Sequence, residues 1–245
     1  MSLNKQVILI TGAGGSIGSV AAMVLAKAGA HIILLDKSIP KLEKTYDAIV
    51  EIGAPEPIMY PFDLAGATEN DYQELADRIE LNYGSLQGLL HCAVEFVAFT
   101  PLALLDTKSW GHGLNVNLNA PFLLTRVLLP VLQKSQHASV VFTSDSAVRI
   151  AQAYTGAYGV AKIALEALAK ILAEELESAN KIRVNTLVPG PVDSQLRNRA
   201  FPGENKAELP PVTSLAPAFL YLFSDDSLGV TGQTLDARTL LPPQQ

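Results

Sequence analysis

The sequence predicts one α/β domain built on a doubly wound parallel sheet. Short β-branched runs alternate with helical stretches along almost the whole chain, a glycine-rich turn follows directly on the first such run, and no internal repeat divides the 245 residues. With 49% hydrophobic and 17% charged residues, a chain of this length buries one substantial core.

Gln6 to Ile10 is a β-branched strand stopped by glycines, Ile17 to Gly29 a helix of small residues, and His31 to Leu35 a second strand ending on Asp36. Strand, glycine turn, helix, strand is a βαβ unit, which requires parallel pairing and a right-handed crossover. The alternation continues with a helix over Lys41 to Ile52, a strand over Pro57 to Phe62, a helix over Glu69 to Asn82 and a strand over Gly88 to Ala93. One long apolar helix spans Thr107 to Gln133, followed by the strand Ser139 to Thr143, the helix Ala157 to Ser178 and the strand Arg183 to Val188. Residues 189–213 are rich in Pro, Gly and polar side chains and are read as a lid over a site. Ser214 to Phe223 returns to helix, Thr231 to Asp236 is a last strand, and 238–245 is a fraying tail.

A net charge of −6 and a pI near 5.2 give no electrostatic footprint for nucleic acid or anionic lipid, leaving small molecules and protein partners. The single cysteine, Cys92, rules out an internal disulfide or a cysteine zinc cluster and fits a reducing compartment. No apolar run reaches the roughly 18 residues of a membrane span, and the N-terminus enters the glycine turn within a dozen residues, so a cytoplasmic protein is expected. His31, His91, His112 and His137 are scattered without ligand spacing, which disfavours a metal hydrolase.

A dinucleotide pyrophosphate needs backbone N–H groups at close approach, at the positive end of a helix. In TGAGGSIG, Gly12, Gly15 and Gly18 give G-x-x-G-x-x-G, with Ser16 and Ile17 between the last two. Asp36, at the end of the second strand, can accept hydrogen bonds from both ribose hydroxyls of an adenosine. A 2′-phosphate would meet like charge there, so NAD(H) is favoured over NADP(H), with the adjacent Lys37 softening the preference.

Tyr158 and Lys162 lie one helical turn apart in GAYGVAK, so they share a helix face. A neighbouring ammonium favours the phenolate, bringing a pKa that starts near 10 toward neutrality. Tyr158 is then a candidate general acid or base for a carbonyl and alcohol pair. The pair follows the strand ending in TSDS, at the carboxyl edge where sites in such sheets collect. Tyr154 is read as a packing ring or pocket wall.

These residues resemble the short-chain dehydrogenase/reductase superfamily from about Lys5 to Ala237. The resemblance implies a Rossmann-type sheet and hydride transfer between NAD(P)(H) and a carbonyl or alcohol. It assigns acid–base work to Tyr158, with Lys162 as its electrostatic partner and ribose anchor. Asn117 in NVNLNAPF matches the asparagine that holds a relay water, and Asp63 in PFDL the acidic residue at the adenine. Pro189, Gly190 and Val192 in LVPGPVDS match the turn beside the nicotinamide, with Ser194 where a threonine binds the carboxamide and Ala93 within the cofactor wall. It further implies a homodimer or homotetramer through the two long helices.

Four positions depart from the superfamily's usual pattern. Ser16 replaces a glycine; Cys92 and Val94, in HCAV, stand where N-A-G is usual, Cys92 losing an amide that ties strands together and Val94 adding bulk beside the ribose. Asp145 occupies the place of the serine that hydrogen-bonds the substrate oxygen; an ionised carboxylate cannot donate, and it would oppose a developing phenolate and raise the Tyr158 pKa. Three readings stand: Ser144 or Ser146 takes the serine's role, although period-two alternation turns both away from Asp145; Asp145 selects a substrate bearing a cation or a hydroxyl donor; or the protein binds dinucleotide without catalysis, as a regulator or assembly partner. The enoyl reductases of the superfamily space tyrosine and lysine seven apart, and neither Thr155 nor Leu165 supplies that pair.

Overall fold

The computed structural model describes residues 2–146, 149, 151–179 and 181–240. Seven parallel strands run in the order β3-β2-β1-β4-β5-β6-β7: β1 (Val7–Thr11), β2 (His31–Asp36), β3 (Ile58–Pro61), β4 (Gly88–His91), β5 (Ala138–Thr143), β6 (Ile182–Val188) and β7 (Thr234–Asp236). Among the described residues are eight α-helices, α1 (Ser16–Lys27), α2 (Ile39–Glu51), α3 (Glu69–Tyr83), α4 (Thr107–Leu114), α5 (Ala120–Gln133), α6 (Gly156–Leu176), α7 (Gln195–Ala200) and α8 (Ala216–Phe223), of which α3, α5 and α6 pack on one face and α1, α2 and α8 on the other.

The near-continuous apolar strands follow from burial on both faces. Alternate β1 side chains serve opposite cores. Val7 and Leu9 join Leu89, Val140 and Val184 against Leu75 of α3, Leu124 and Leu128 of α5 and Leu165 of α6. Ile8 and Ile10 join Ile32, Leu34, Leu90 and Val141 against Ala22 and Leu25 of α1, Leu42 of α2 and Phe219 of α8. The small residues of α1 therefore bring that helix close to the sheet just where the glycine turn leaves it.

Three expectations are revised. The long helix foreseen over Thr107 to Gln133 is two helices joined by a π-helical turn, Asn115–Asn119, which places the Asn117 side chain inside the structure, 1% exposed. Residues 189–213 contain α7 and a 3-10 turn, and a bridge between Asp193 and Pro211 closes their base. Of the tail, Ala237–Thr239 forms a 3-10 turn capped by Asp236, and 241–245 lie outside the described residues.

His91, at the end of β4, is a core histidine. Its ring stacks on Phe142 at 4.7 Å and shares a 2.9 Å hydrogen bond with the Thr125 hydroxyl. Burial, aided by the positive charge of Lys162, lowers its pKa from 6.5 to about 3. The unfolded chain takes up a proton below 6.5 that the folded chain refuses, so this site's stability is fully present above 6.5 and is lost as pH falls toward 3. Urea unfolding of the His91→Gln variant should show a shallower decline in stability from pH 7 to pH 5 than the parent; equal slopes would remove His91 from the account.

Candidate active site

The sheet order reverses at β1: the chain leaving it runs toward β2, while β4 pairs on its other side. A crevice opens at such a switch point. It holds a cavity of about 440 Å³ lined by the glycine turn, the ends of β2, β4 and β5, two residues of α6 and the start of the 189–213 segment, a volume within the usual range for ligand sites.

At one end, Gly12 turns with φ +64°, and a Cβ there would come within 2.7 Å of the Ala93 backbone. A Cβ on Gly18 would lie 2.2 Å from the Gly12 carbonyl oxygen. The turn is thus pressed against β4 and against the first turn of α1, whose cap residue, Gly15, supplies no side-chain hydrogen bond. The leading amides of α1 are left for an anion. Gly12, Gly15, Ser16, Ile17 and Gly18 all line the cavity. Asp36 lines the same rim and accepts from the Gly14 N–H at 3.1 Å and the Ser38 N–H at 3.0 Å, which orient its carboxylate. Asp63 accepts from the Ala65 N–H and lies alongside, with Lys37 and Lys41 also on the rim. Pro189, Gly190, Val192, Ser194 and Ala93 line the cavity as well. This cradle fits an adenine dinucleotide, with phosphates at the amides of α1 and a ribose at Asp36.

The tie foreseen as lost at Cys92 is supplied by β1 instead: the Thr11 hydroxyl accepts from the Cys92 and Ala93 N–H groups at 3.2 and 3.1 Å. Val94 does not plug the crevice; it is 37% exposed and forms part of the wall.

At the other end, Tyr158 and Lys162 are both buried on α6 and both line the cavity. Lys162 Nζ donates to the Thr143 carbonyl at 2.8 Å and sits 6.0 Å from the Tyr158 ring centre. Burial lowers its pKa from 10.5 to about 8. Of the two opposing effects expected on the phenol, the ammonium's lowering is not seen and the carboxylate's raising is: burial first, then the charge of Asp145 and a hydrogen bond to it, push the Tyr158 pKa well above 10. The phenol donates to Asp145 Oδ2 at 2.6 Å. Burial, reinforced by the carboxylate, keeps the proton on the phenol.

The remaining candidates separate. Ser144 backs the cavity wall, but its hydroxyl donates to Glu166 Oε1 at 2.5 Å, away from Tyr158; Glu166 also meets Arg149 at 3.4 Å. Ser146 is not among the lining residues. Tyr154 is no pocket wall: it is 58% exposed in a left-handed conformation, φ +71°. Asn117 lies behind the cavity, accepting from the Glu95 N–H and donating to the Glu95 and Gly113 carbonyls, so its side chain clips the loop after β4 to the π turn. Ser194 caps α7 by accepting from the Arg197 N–H, and Ser16 accepts from the Gln195 N–H, fastening the glycine turn to that helix.

Sequence reading missed Glu95, Phe96, Leu196, Arg197 and Arg199, all of which line the cavity. Phe96 packs edge-on against Tyr158 at 5.4 Å. Arg197 is held by Glu204 through two 2.7 Å hydrogen bonds and lies 3.8 Å over the Phe201 ring, and Arg199 donates to the Phe96 carbonyl. None of these has a motif; only the fold brings the loop after β4 and α7 together.

A dinucleotide cradle and a buried tyrosine–lysine pair in one crevice define a nicotinamide-dependent oxidoreductase of the α/β class. The short chain dehydrogenase family model matches residues 6–205, and the chain belongs to that family. It is 39% identical over 236 residues to the oxidoreductase YciK of Escherichia coli (strain K12), covering 96% of this chain and 93% of that one. A short chain dehydrogenase of Shigella flexneri 2a str. 301 complexed with NADP superposes with a TM-score of 0.93 at 38% identity, covering 96% and 98% of the two chains. One of Escherichia coli CFT073 complexed with NADPH superposes with a TM-score of 0.92 at 40% identity, with the same coverage.

Substituting Gly18→Ala should abolish saturable binding of NADH and NADPH, followed by energy transfer from protein to nicotinamide fluorescence, while the far-ultraviolet circular dichroism stays folded. Unchanged affinity would mean the turn does not carry the phosphates.

Proposed function

We propose that this oxidoreductase interconverts an alcohol and a carbonyl, with Tyr158 as the acid–base residue, and that it favours NAD(H). The reading is carried by one observation: the phenol of Tyr158 and the cradle under α1 share a single cavity. When bound, the nicotinamide supplies or accepts the hydride. Lys162, anchored on the Thr143 carbonyl, keeps a positive charge at the floor and would hold a ribose hydroxyl of the dinucleotide. Asn117 keeps the loop after β4 in place. Asp145, at hydrogen-bonding distance from the phenol, replaces the serine as the group that meets the substrate. The 189–213 segment acts as the lid, its α7 facing the cavity through Leu196, Arg197 and Arg199.

The preference for NAD(H) rests on Asp36 alone. The relatives complexed with NADP and NADPH weigh against this preference; in its favour, a carboxylate fixed by two amides would face a 2′-phosphate here, with Lys37 and Lys41 as the opposing charges. The protein acts as a homodimer or homotetramer, because Phe122 of α5 and Val160, Ile163 and Ile171 of α6 leave an apolar face 44–55% exposed. No described helix is long and apolar enough to cross a membrane.

Thermal shift with NAD, NADH, NADP and NADPH should give the larger stabilisation with the NAD pair, and a shift with NADP(H) alone would overturn the role of Asp36. In a turnover screen, Tyr158→Phe should lower kcat by at least about a hundredfold, the scale of general acid–base catalysis, while leaving NADH affinity within about twofold of the parent, less than 0.5 kcal/mol. Full activity in that variant would remove the phenol from the mechanism.

A further inference from the structure

The end of β5 is laced to α6 residue by residue. Thr143, Ser144 and Asp145 follow one another at the carboxyl edge of the sheet, and each is bound by a different turn of the helix. Lys162 donates to the Thr143 carbonyl, the Ser144 hydroxyl donates to Glu166, and Tyr158 donates to the Asp145 carboxylate. Tyr158, Lys162 and Glu166 stand at i, i+4 and i+8 of one helix, so the three rungs share a side of α6. Tyr158 and Lys162 line the cavity, and Glu166 does not.

The Glu166 rung is short and sheltered. Ser144 Oγ lies 2.5 Å from Glu166 Oε1, the length of a hydroxyl on an ionised carboxylate, which is about twice as strong as a neutral pair. The Glu166 side chain is 14% exposed, and its other oxygen meets the Arg149 guanidinium at 3.4 Å. One carboxylate therefore holds a residue on each side of Asp145 in the chain. The pairing of β5 with β6 runs to the Ser144 N–H, which donates to the Leu187 carbonyl at 2.8 Å, and Asp145 lies beyond it. Neighbouring side chains of extended backbone point to opposite sides, so fixing the Ser144 hydroxyl on Glu166 also fixes the direction of Asp145. Asp145 faces the charges of Lys162 and Arg197 as well as the phenol. Where its carboxylate rests thus depends on how the chain around it is anchored.

Resting on the proposed oxidoreductase activity, we infer that Glu166 is a positioning residue for the reaction: by binding the Ser144 hydroxyl and the Arg149 guanidinium, it keeps the Asp145 carboxylate on the Tyr158 phenol. It touches neither the cavity nor the reacting atoms and acts through Asp145.

The test uses the full chain, made with tyrosine carrying carbon-13 at Cζ, and cyclohexanone with NADH as the turnover probe. Loss of one NMR signal in Tyr158→Phe assigns the Tyr158 resonance. A phenol that donates to a carboxylate has its Cζ signal downfield of one that donates to water. Glu166→Ala should move the Tyr158 signal upfield, toward its position in Asp145→Ser. It should also lower kcat by about tenfold, the scale of one hydrogen bond to a charged group, with the Kd for NADH within about twofold of the parent. Glu166→Gln, which still accepts from Ser144, should keep the signal near its parent position. In the Asp145→Ser background, Glu166→Ala should change kcat by less than about twofold, because the residue it positions is gone. A packing role would cost the same in both backgrounds. An unmoved Tyr158 signal in Glu166→Ala, or a loss of kcat equal in the two backgrounds, overturns the inference. If Glu166→Ala does not fold, Ser144→Ala removes the same rung from the other side, and its displaced or unmoved signal decides in the same way. If cyclohexanone is not turned over, the signal decides alone. Failure of the oxidoreductase reading looks different: no dinucleotide binds, or Tyr158→Phe keeps full turnover.

Discussion

The structure depends on the pairing of β1 with β2 on one side and β4 on the other. Because the sheet order turns around at that strand, the turn after β1 and the loop after β4 part above it, and no helix can fill the gap between them. The Thr11 hydroxyl holds the two edges at a fixed separation by accepting from the Cys92 and Ala93 amides. The glycines then let the backbone of the turn rest directly on β4. A site with amides at one end and a phenol at the other follows from this single constraint.

Asp145 changes what the phenol does. A tyrosine beside an ammonium is usually read as a group poised to lose its proton, and the i, i+4 spacing of Tyr158 and Lys162 gives that impression. In the folded protein Lys162 spends its ammonium on the Thr143 carbonyl and is itself weakened by burial, whereas a carboxylate sits in contact with the phenolic hydroxyl. Contact distance outweighs the more remote charge in a buried site, where both interactions are poorly screened. The reacting end thus carries a carboxylate where a serine would be neutral.

The fold was legible in the sequence because burial on both faces leaves apolar strands, and because glycines mark the βα turn. The placing of Gly12, Gly15, Gly18 and Asp36 at one cavity was legible too, because backbone geometry within one βαβ unit sets it. Less was legible where the outcome depends on partners far apart in the chain. The alternation of Ser144, Asp145 and Ser146 correctly turns Ser144 from the phenol, yet nothing local announces that Glu166, on α6, takes its hydroxyl. Tyr154 looked like a wall because aromatic rings so often are; a left-handed backbone turns it outward. The π turn at Asn115–Asn119 was hidden by an unbroken helical pattern, since an extra residue in a turn leaves the apolar spacing almost intact.

One small contact has wider reach than its size suggests. The Ser16 oxygen, in the phosphate cradle, accepts the first amide of α7, which belongs to the wall opposite Tyr158. The glycine turn and the α7 wall of the cavity therefore share a mechanical joint, so that a shift of one is handed on to the other.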